Sequence, residues 1–523
     1  MLFFTMSSGS APPAPPVTTG ASPSRVRLYA GVVGAVAALA VGLGVTAPSD
    51  HPQLPAMAGA ALLMAVYWIF DVLPIAVTSL LPLALFPLLG VADPSAVAGA
   101  YGKPTIFLFM GGFMLALGIE RAGLHRRIAL AIVAAIGSRP ARLVLGFMVA
   151  SGVLSMWISN TATVMVMLPI AAAILRSHEE AAADRGAAPI PGFGTALMLG
   201  IAYAANIGGM GTLVGTPPNL AYRQILHDVF PAAPEVSFTG WMLLGVPLAV
   251  VFVALGWLLL TRVLFRFPAA PAFGERSVIR DARRALGPVR RDELRAGLVF
   301  AVVALLWVTG GSGKGDLPGW RDLPGLAKIG DEAVAMAGAI LLFAIPSAER
   351  PGALMDWPTA VRLPWGILLL FGGGFALAAG FESTGLSGAI GGALGGLSGL
   401  PPWVLVVIVC AVMTFMTELT SNTATANLVL PILGKAAVVM GVDPRVLMVP
   451  ATLSASCAFM MPVATPTNAI VFGTGHITIP QMVRAGVWLN LLGVALITAA
   501  FFLIGVEVLD IAPAVVPTWA ISP

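Results

Sequence analysis

The sequence predicts an all-α polytopic membrane protein made of two inverted repeats, each with a re-entrant hairpin and a broken helix. Of its 523 residues, 58% are hydrophobic and only 10% are charged, whereas an ordinary soluble domain has about a quarter charged residues. Long apolar runs recur from residue 28 to residue 508, which indicates many membrane-crossing helices. The net charge of +4 comes from basic residues in short loops, so it does not indicate a nucleic-acid partner.

A short polar motif that occurs twice predicts the repeats. Ser-Asn-Thr-Ala-Thr begins at Ser159 and again at Ser421, and both copies continue to Leu-Pro-Ile. The motif Gly-Gly-Phe at Gly111 and Gly373 has the same offset of 262 residues, while the Thr-Pro pairs at Thr216 and Thr465 differ by 249. Matches at one offset over this length indicate an internal duplication, and the change from 262 to 249 indicates that the second half lost 13 residues between the tip and the break.

Each copy of the motif lies between apolar arms that are short for a membrane span. The arm 143–158 would be about 24 Å long as a helix, less than the ~30 Å of a hydrocarbon core. Two short arms around a polar tip predict a re-entrant hairpin. The predicted arms are 143–158 and 162–175 in the first half, and 403–417 and 424–440 in the second. Gly- and Pro-rich breaks follow at 208–219 and 461–468.

The arginines predict how the chain crosses the membrane, because basic residues concentrate in cytoplasmic loops. On this pattern the N-terminus is cytoplasmic, the C-terminus is outside, and the two tips enter from opposite sides. The predicted segments are a disordered tail (1–24), a first transmembrane helix (25–50), repeat 1 (51–265), a basic cytoplasmic linker (266–295), repeat 2 (296–510) and a C-terminal tail (511–523). A further spanning helix is predicted at 74–91.

The tips carry residue types that suit both an anion and a cation. A helix that begins at a tip presents free N–H groups and about half a positive charge, and Ser, Asn and Thr are good N-cap residues. Ser155 and Thr417 each precede a tip by four residues, so hydroxyl, amide and carbonyl oxygens would form a site for a hard cation such as Na⁺. Such polar residues often serve only helix packing, and for Glu418 a structural and a functional role stay equally open.

The breaks complete a resemblance to a known family. Gly215-Thr216-Pro217-Pro218-Asn219, Ala464-Thr465-Pro466-Thr467-Asn468 and Phe371-Gly372-Gly373-Gly374, with the paired tips, resemble the divalent anion:sodium symporter family, specifically its bacterial Na⁺/dicarboxylate transporters. The resemblance covers about residues 28–508. It implies about eleven transmembrane helices plus two hairpins, a homodimer, and elevator motion of a transport domain against a scaffold.

The resemblance also assigns expected site residues. The substrate carboxylates would contact Asn160, Thr161, Asn422 and Thr423, with Thr216, Thr465 and Pro466 nearby. One Na⁺ site would comprise Ser155, Ser159, Asn160 and Gly215. The other would comprise Thr417, Ser421, Asn422 and Ala464. The chain departs from the family pattern at Thr467, where relatives often have a second proline, and this adds a hydroxyl near the site.

The resemblance and the residues together predict a secondary active transporter, not an enzyme. The expected activity is Na⁺-coupled symport of C4-dicarboxylates such as succinate, malate and fumarate across a bacterial inner membrane, with Na⁺ as the coupling ion. The expected partners are the dicarboxylate, the lipid bilayer and a second copy of the chain. A dicarboxylate exchanger and a carrier of sulfate or another inorganic anion remain alternatives. A membrane-embedded enzyme is disfavoured because the sequence has no His-Glu-x-x-His, Gly-x-Ser-x-Gly or Cys/His cluster.

Overall fold

The computed structural model describes residues 25–184, 186, 190–267, 275–311 and 319–521. Within these ranges the regular structure is helical, and a single isolated bridge pairs Pro346 with Ala353. The predicted all-α fold class is therefore confirmed. The tail predicted at 1–24 lies outside the described residues.

The first half contains both a hairpin and a broken helix. Hairpin 1 consists of Pro140–Ser155 and Asn160–Ala183, and broken helix 1 consists of Phe193–Gly209 and Pro217–Val229. The other helices of this half are Arg25–Gly44, Leu54–Ile69, Ile75–Thr78, Leu81–Leu88, Pro94–Ala100, Pro104–Ala122, Leu124–Ile136 and Phe238–Leu258, the last continuing as the π-helix Leu259–Leu264.

The second half repeats this plan. Hairpin 2 consists of Pro402–Thr417 and Asn422–Val439, and broken helix 2 consists of Pro444–Ser454 and Pro466–Phe472. The helix Glu275–Ala285 lies between the halves and is called here the linker helix. The remaining elements are Arg291–Val308, Trp320–Asp322, Asp331–Ala344, Trp357–Ala360, Trp365–Ser383, Leu386–Ala393, Leu394–Leu397, Ile479–Ala500, Phe501–Gly505, Val506–Val508 and Thr518–Ile521.

Several helices have the length and composition of membrane spans. In the part of the chain that the structure describes, six helical segments qualify: Arg25–Gly44, Pro94–Ala122, Asn160–Ala183, Phe238–Leu264, Trp365–Ser383 and Ile479–Val508. Five shorter apolar helices accompany them, among them both first arms of the hairpins. The chain is thus a multi-pass membrane protein, while the count of about eleven spans remains a prediction.

Close packing joins hairpin 1 to broken helix 1. A Cβ added to Gly208 would lie only 2.2 Å from the Gly152 carbonyl oxygen, so the two helix backbones are in direct contact there. Small residues allow such approach between helices in a membrane. This contact places the end of Phe193–Gly209 against the first arm of the hairpin, near its tip.

The spanning helix predicted at 74–91 is wrong in detail, because the structure has two short helices there, Ile75–Thr78 and Leu81–Leu88. Pro82 explains the interruption. It has no N–H to donate to the Thr78 carbonyl, and its ring clashes with a carbonyl in that position of a continuous helix. The Ser79 hydroxyl instead donates to the Ile75 carbonyl at 2.7 Å, which closes the first short helix.

The second arm of hairpin 1 is longer than the predicted 162–175, because the helix runs to Ala183. Residues 176–183 are polar but contain good helix formers, so loss of apolarity does not end the helix. The linker helix lies within the predicted basic linker 266–295, and the helix Leu124–Ile136 is a further element that the sequence did not predict.

Candidate functional site

Both tips and both breaks line one cavity. Its volume is about 880 Å³. The lining includes most of the expected site residues: Ser159, Asn160, Thr161, Gly215, Thr216, Ser421, Asn422, Thr423, Ala464, Thr465 and Pro466. Ser155 and Thr417 are fully buried and contact tip residues from behind. Two segments that are 262 residues apart in sequence therefore line the same cavity.

Several oxygen atoms lie close together at the first tip. The Ser155 hydroxyl donates to Asn160 Oδ1 at 2.5 Å. A Cβ added to Gly209 would lie 3.0 Å from Asn160 Oδ1 and 3.1 Å from the Gly215 carbonyl oxygen. The glycine thus leaves room beside two oxygens that a larger residue would fill. Hydroxyl, amide and carbonyl oxygens are the ligands that hard cations prefer, so these residues fit a Na⁺ ion.

The second tip has the same hydroxyl–amide pair. The Thr417 hydroxyl donates to Asn422 Oδ1 at 2.6 Å, and it lies 3.0 Å from the Ala455 carbonyl oxygen. In both tips the hydroxyl residue precedes the asparagine by five positions. The hydroxyl is at the end of one helix and the asparagine begins the next, so the pair fixes the turn between the two arms.

Two buried asparagines hold the breaks in matching ways. Asn219 Nδ2 donates to the carbonyls of Gly209 (3.1 Å) and Thr212 (2.7 Å). Asn468 Nδ2 donates to the carbonyls of Ala458 and Met461, both at 3.0 Å. All these pairs are related by the offset of 249 residues. Each asparagine therefore satisfies carbonyls that an interrupted helix would otherwise leave unpaired.

Asn206, which we did not predict from the sequence, links the two halves of the site. It is 1% exposed, and its Oδ1 accepts from Asn160 Nδ2 at 3.3 Å and from the Thr467 hydroxyl at 3.0 Å. Its Nδ2 donates to Thr465 Oγ1 at 3.4 Å, and Thr465 and Thr467 hydroxyls lie 2.7 Å apart. A lone amide in an apolar helix, two residues before the glycine pair at which the helix ends, is the signal that could have identified it.

Glu418 has a clear structural role at the second break. Its side chain is buried, and its carboxylate accepts from the backbone N–H groups of Phe459, Met460 and Met461 at 2.6 to 3.1 Å. It also accepts from Asn490 Nδ2 at 2.7 Å. The carboxylate thus anchors the loop between the halves of broken helix 2 against hairpin 2 and the helix Ile479–Ala500. The equivalent position in repeat 1 is Met156.

The cavity can stabilise an anion mainly through dipoles and hydroxyls. The helices Asn160–Ala183, Pro217–Val229 and Asn422–Val439 begin at it, and helix N-termini favour negative charge. Among the described residues that line it, Arg27 is the one basic side chain, and it pairs with Asp71. Both side chains are about half exposed, so this ion pair lies at the open edge of the cavity.

Comparison with known proteins is decisive for the family. The model of the sodium:sulfate symporter transmembrane region matches residues 30–506. The chain belongs to this family, also called the divalent anion:sodium symporters. Among its relatives is a protein of Staphylococcus saprophyticus named sodium-dependent dicarboxylate transporter SdcS, 42% identical over 453 residues, which are 86% of each chain. A Staphylococcus aureus protein of the same name is 41% identical over 469 residues, 88% of this chain and 89% of the relative.

Solved transporter structures share the fold. The Alcanivorax borkumensis YdaH transporter has a TM-score of 0.56 at 16% identity, over 86% of this chain and 99% of that one. Neisseria gonorrhoeae MtrF has a TM-score of 0.58 at 15% identity, over 91% and 99%. At these identities the likeness concerns the fold alone.

We predict that Glu418→Gln lowers the free energy of unfolding by about 3 kcal/mol. The substitution replaces hydrogen bonds to a charged acceptor, worth about 1.5–3 kcal/mol each, and turns an amide donor toward backbone N–H groups. Thermal unfolding of the purified protein in detergent measures this change. The matched control is Glu382→Gln, whose partner Lys435 lies 2.7 Å away in a half-exposed ion pair worth about 0–1 kcal/mol. Equal stability of both variants would contradict this role of Glu418.

Proposed function

We propose that the protein is a Na⁺-coupled symporter of C4-dicarboxylates such as succinate, malate and fumarate. The observation that carries this proposal is that Asn160 and Asn422 each have two structural roles at the cavity. Each begins a helix at the cavity, and each also pairs through its Oδ1 with a buried hydroxyl behind the tip. One side of each tip thus faces an anion, while the other offers neutral oxygens to a cation. The names of the staphylococcal relatives support the same pairing of sodium with a dicarboxylate.

The arrangement supports an order in which Na⁺ binds first. Without a cation, a dianion in this cavity would exchange its hydration shell for hydroxyls and helix N-termini alone, and burying a charge without a partner is expensive. A Na⁺ at Ser155, Ser159, Asn160 and Gly215, and another at Thr417, Ser421, Asn422 and Ala464, would add positive charge behind each tip. Both ends of a dicarboxylate, at Thr161 and Thr423 with Thr216, Thr465 and Pro466 alongside, would then be stabilised.

Several features of the transport cycle belong to this proposal. We place the protein in a bacterial inner membrane with the N-terminus cytoplasmic and the C-terminus outside, as the arginines predict. The cavity extends to the exposed Arg27–Asp71 pair, so in this orientation it opens toward the cytoplasm. Elevator motion of the hairpins and broken helices within a homodimer would expose the same residues to the other side.

Uptake of labelled succinate into proteoliposomes tests the proposal. We expect uptake with an inward Na⁺ gradient and little with an equal K⁺ gradient. No uptake of any C4-dicarboxylate under either condition would contradict it. Uptake that needs internal substrate and ignores Na⁺ would instead support an exchanger. Uptake of labelled sulfate that neither succinate nor malate inhibits would support the inorganic-anion carrier that the family description also allows.

We predict that Thr161→Ala and Thr423→Ala each raise the KM for succinate roughly 10- to 100-fold. Each removes a hydroxyl that would donate to a charged carboxylate, a bond worth about 1.5–3 kcal/mol. The matched controls are Thr161→Ser and Thr423→Ser, which keep the hydroxyl and should stay close to wild type. Wild-type KM values in both alanine variants would show that the hydroxyls of Thr161 and Thr423 do not contact the substrate.

We predict that Asn206 and Thr467 act as a unit in Na⁺ binding. Asn206→Ala removes the partner of Asn160 Nδ2 and should raise the half-saturating Na⁺ concentration roughly tenfold, the value of about one hydrogen bond. Thr467→Val breaks the same network, so the double variant should be little worse than Asn206→Ala alone. Thr452→Val is the control, because the Thr452 hydroxyl donates within its own helix to the Met448 carbonyl. If the double variant raised the half-saturating Na⁺ concentration by the product of the two single effects, the two residues would not be coupled.

A further inference from the structure

The segment that joins the two halves has a high density of arginines. It comprises the linker helix Glu275–Ala285, the connection 286–290 and Arg291, the first residue of the next helix. Its acidic residues are Glu275 and Asp281. Its arginines are Arg276, Arg280, Arg283, Arg284, Arg290 and Arg291. The segment therefore has a clear excess of positive charge.

Part of this segment forms one wall of a second cavity, distinct from the one between the tips. Its volume is about 710 Å³, and Arg280, Arg283 and Arg284 line it. The helix Leu124–Ile136 supplies the opposite wall. The other lining residues are mostly small or apolar: Ala131, Ala134, Gly137, Ser138, Ile279, Leu286, Gly287 and Val289, together with Arg127. The cavity thus combines guanidinium groups with an apolar lining.

The three linker arginines are poorly neutralised by acidic side chains. Within the described part of the chain, Arg280 and Arg284 approach one acidic side chain, Asp281, at 3.8 and 3.9 Å, and the Asp281 side chain is 64% exposed. Among the described residues, Arg283 has no ion-pair partner. Arg127 differs, because it forms an ion pair with Glu293 at 2.8 Å and donates to the carbonyls of Gly287 and Pro288. The positive charge available to a ligand therefore comes from the linker helix.

We propose that this cavity binds the headgroup of an anionic phospholipid. Guanidinium groups donate paired hydrogen bonds to a phosphate, and the apolar lining would cover the glycerol backbone and the first acyl carbons. Basic pockets between helices at the cytoplasmic membrane surface are suited to such headgroups. A free phosphate or a dicarboxylate would satisfy the arginines but leave the apolar lining in water. Charge and apolar surface together therefore favour a lipid.

A lipid bound here would act on the connection between the repeats. The linker helix packs against both Leu124–Ile136 and the second arm of hairpin 1, Asn160–Ala183. Ile279, on the same helix, is 4% exposed, so its apolar side is already fixed by this packing. The lipid would hold the exposed, charged side in the same position. This inference does not depend on which anion the protein transports.

Lipid binding to the full-length protein in detergent tests the inference. Native mass spectrometry would follow titration with phosphatidylglycerol and, separately, with phosphatidylcholine of the same acyl chains. The variant is the triple substitution Arg280→Gln, Arg283→Gln and Arg284→Gln. The matched control is Arg176→Gln, Arg262→Gln and Arg266→Gln, which removes three exposed charges outside the cavity.

We expect wild type and control to bind phosphatidylglycerol in preference to phosphatidylcholine. The triple variant should bind phosphatidylglycerol roughly 100-fold more weakly, since each of the three arginines contributes about fivefold near a membrane surface. Equal binding of both lipids by the wild type would overturn the inference without reference to any variant. Equal loss in the variant and the control would also overturn it, because surface charge in general would then explain binding. Displacement of phosphatidylglycerol by succinate or inorganic phosphate at matching concentrations would overturn the choice of a lipid.

Discussion

A helix that breaks inside a bilayer leaves backbone carbonyl and N–H groups that lipid cannot satisfy, and this constraint shapes the whole site. The protein meets it with one buried asparagine per break. Asn219 and Asn468 each donate to two carbonyls, and three of these four carbonyls lie in the loop after the preceding half-helix. With those groups paired, the restarting half-helices can stay at the cavity and direct their N-termini toward it.

The two repeats share the polar residues that support each tip and break, and they differ in the polar residues that connect one tip or break to another. The hydroxyl–amide pairs of the tips and the two asparagines that hold the breaks occur in both halves. Asn206 occurs once, because its equivalent is Ala455, and Glu418 occurs once, because its equivalent is Met156. The amide of Asn206 reaches across to the second break, and the carboxylate of Glu418 holds the loop of that break. We infer that the duplicated residues build two half-sites and that these single-copy residues join them.

Most residues that the sequence singled out line one cavity, whereas two of the surrounding helices differ from their predicted extents. Ser159 and Ser421 could be matched because a fixed offset of 262 residues survives in the chain, and Pro217 and Pro466 mark the restarting half-helices because proline suits a first turn. The interruption after Thr78 was missed because the run 74–91 is largely apolar. The interruption comes from Pro82, which cannot donate to the Thr78 carbonyl four residues earlier. The extension of hairpin 1 to Ala183 was missed because polarity was taken as an end of the helix.

The roles of two buried polar residues could not be derived from sequence alone. Asn206 lies 259 residues from Thr465, and only the fold brings their side chains together. Glu418 accepts from backbone N–H groups more than forty residues away. Because every residue except proline has a backbone N–H, the residue types at those positions do not indicate this contact. Contacts of this kind depend on tertiary structure, which a local pattern does not encode.

The central claim is that cation and dicarboxylate binding are linked through shared residues at the two tips. Calorimetric titration of the purified protein with succinate, at increasing Na⁺ and constant ionic strength, tests it most directly. The account predicts that the apparent Kd for succinate falls as Na⁺ rises and that binding is lost when choline replaces Na⁺. The same Kd with and without Na⁺ would contradict the account.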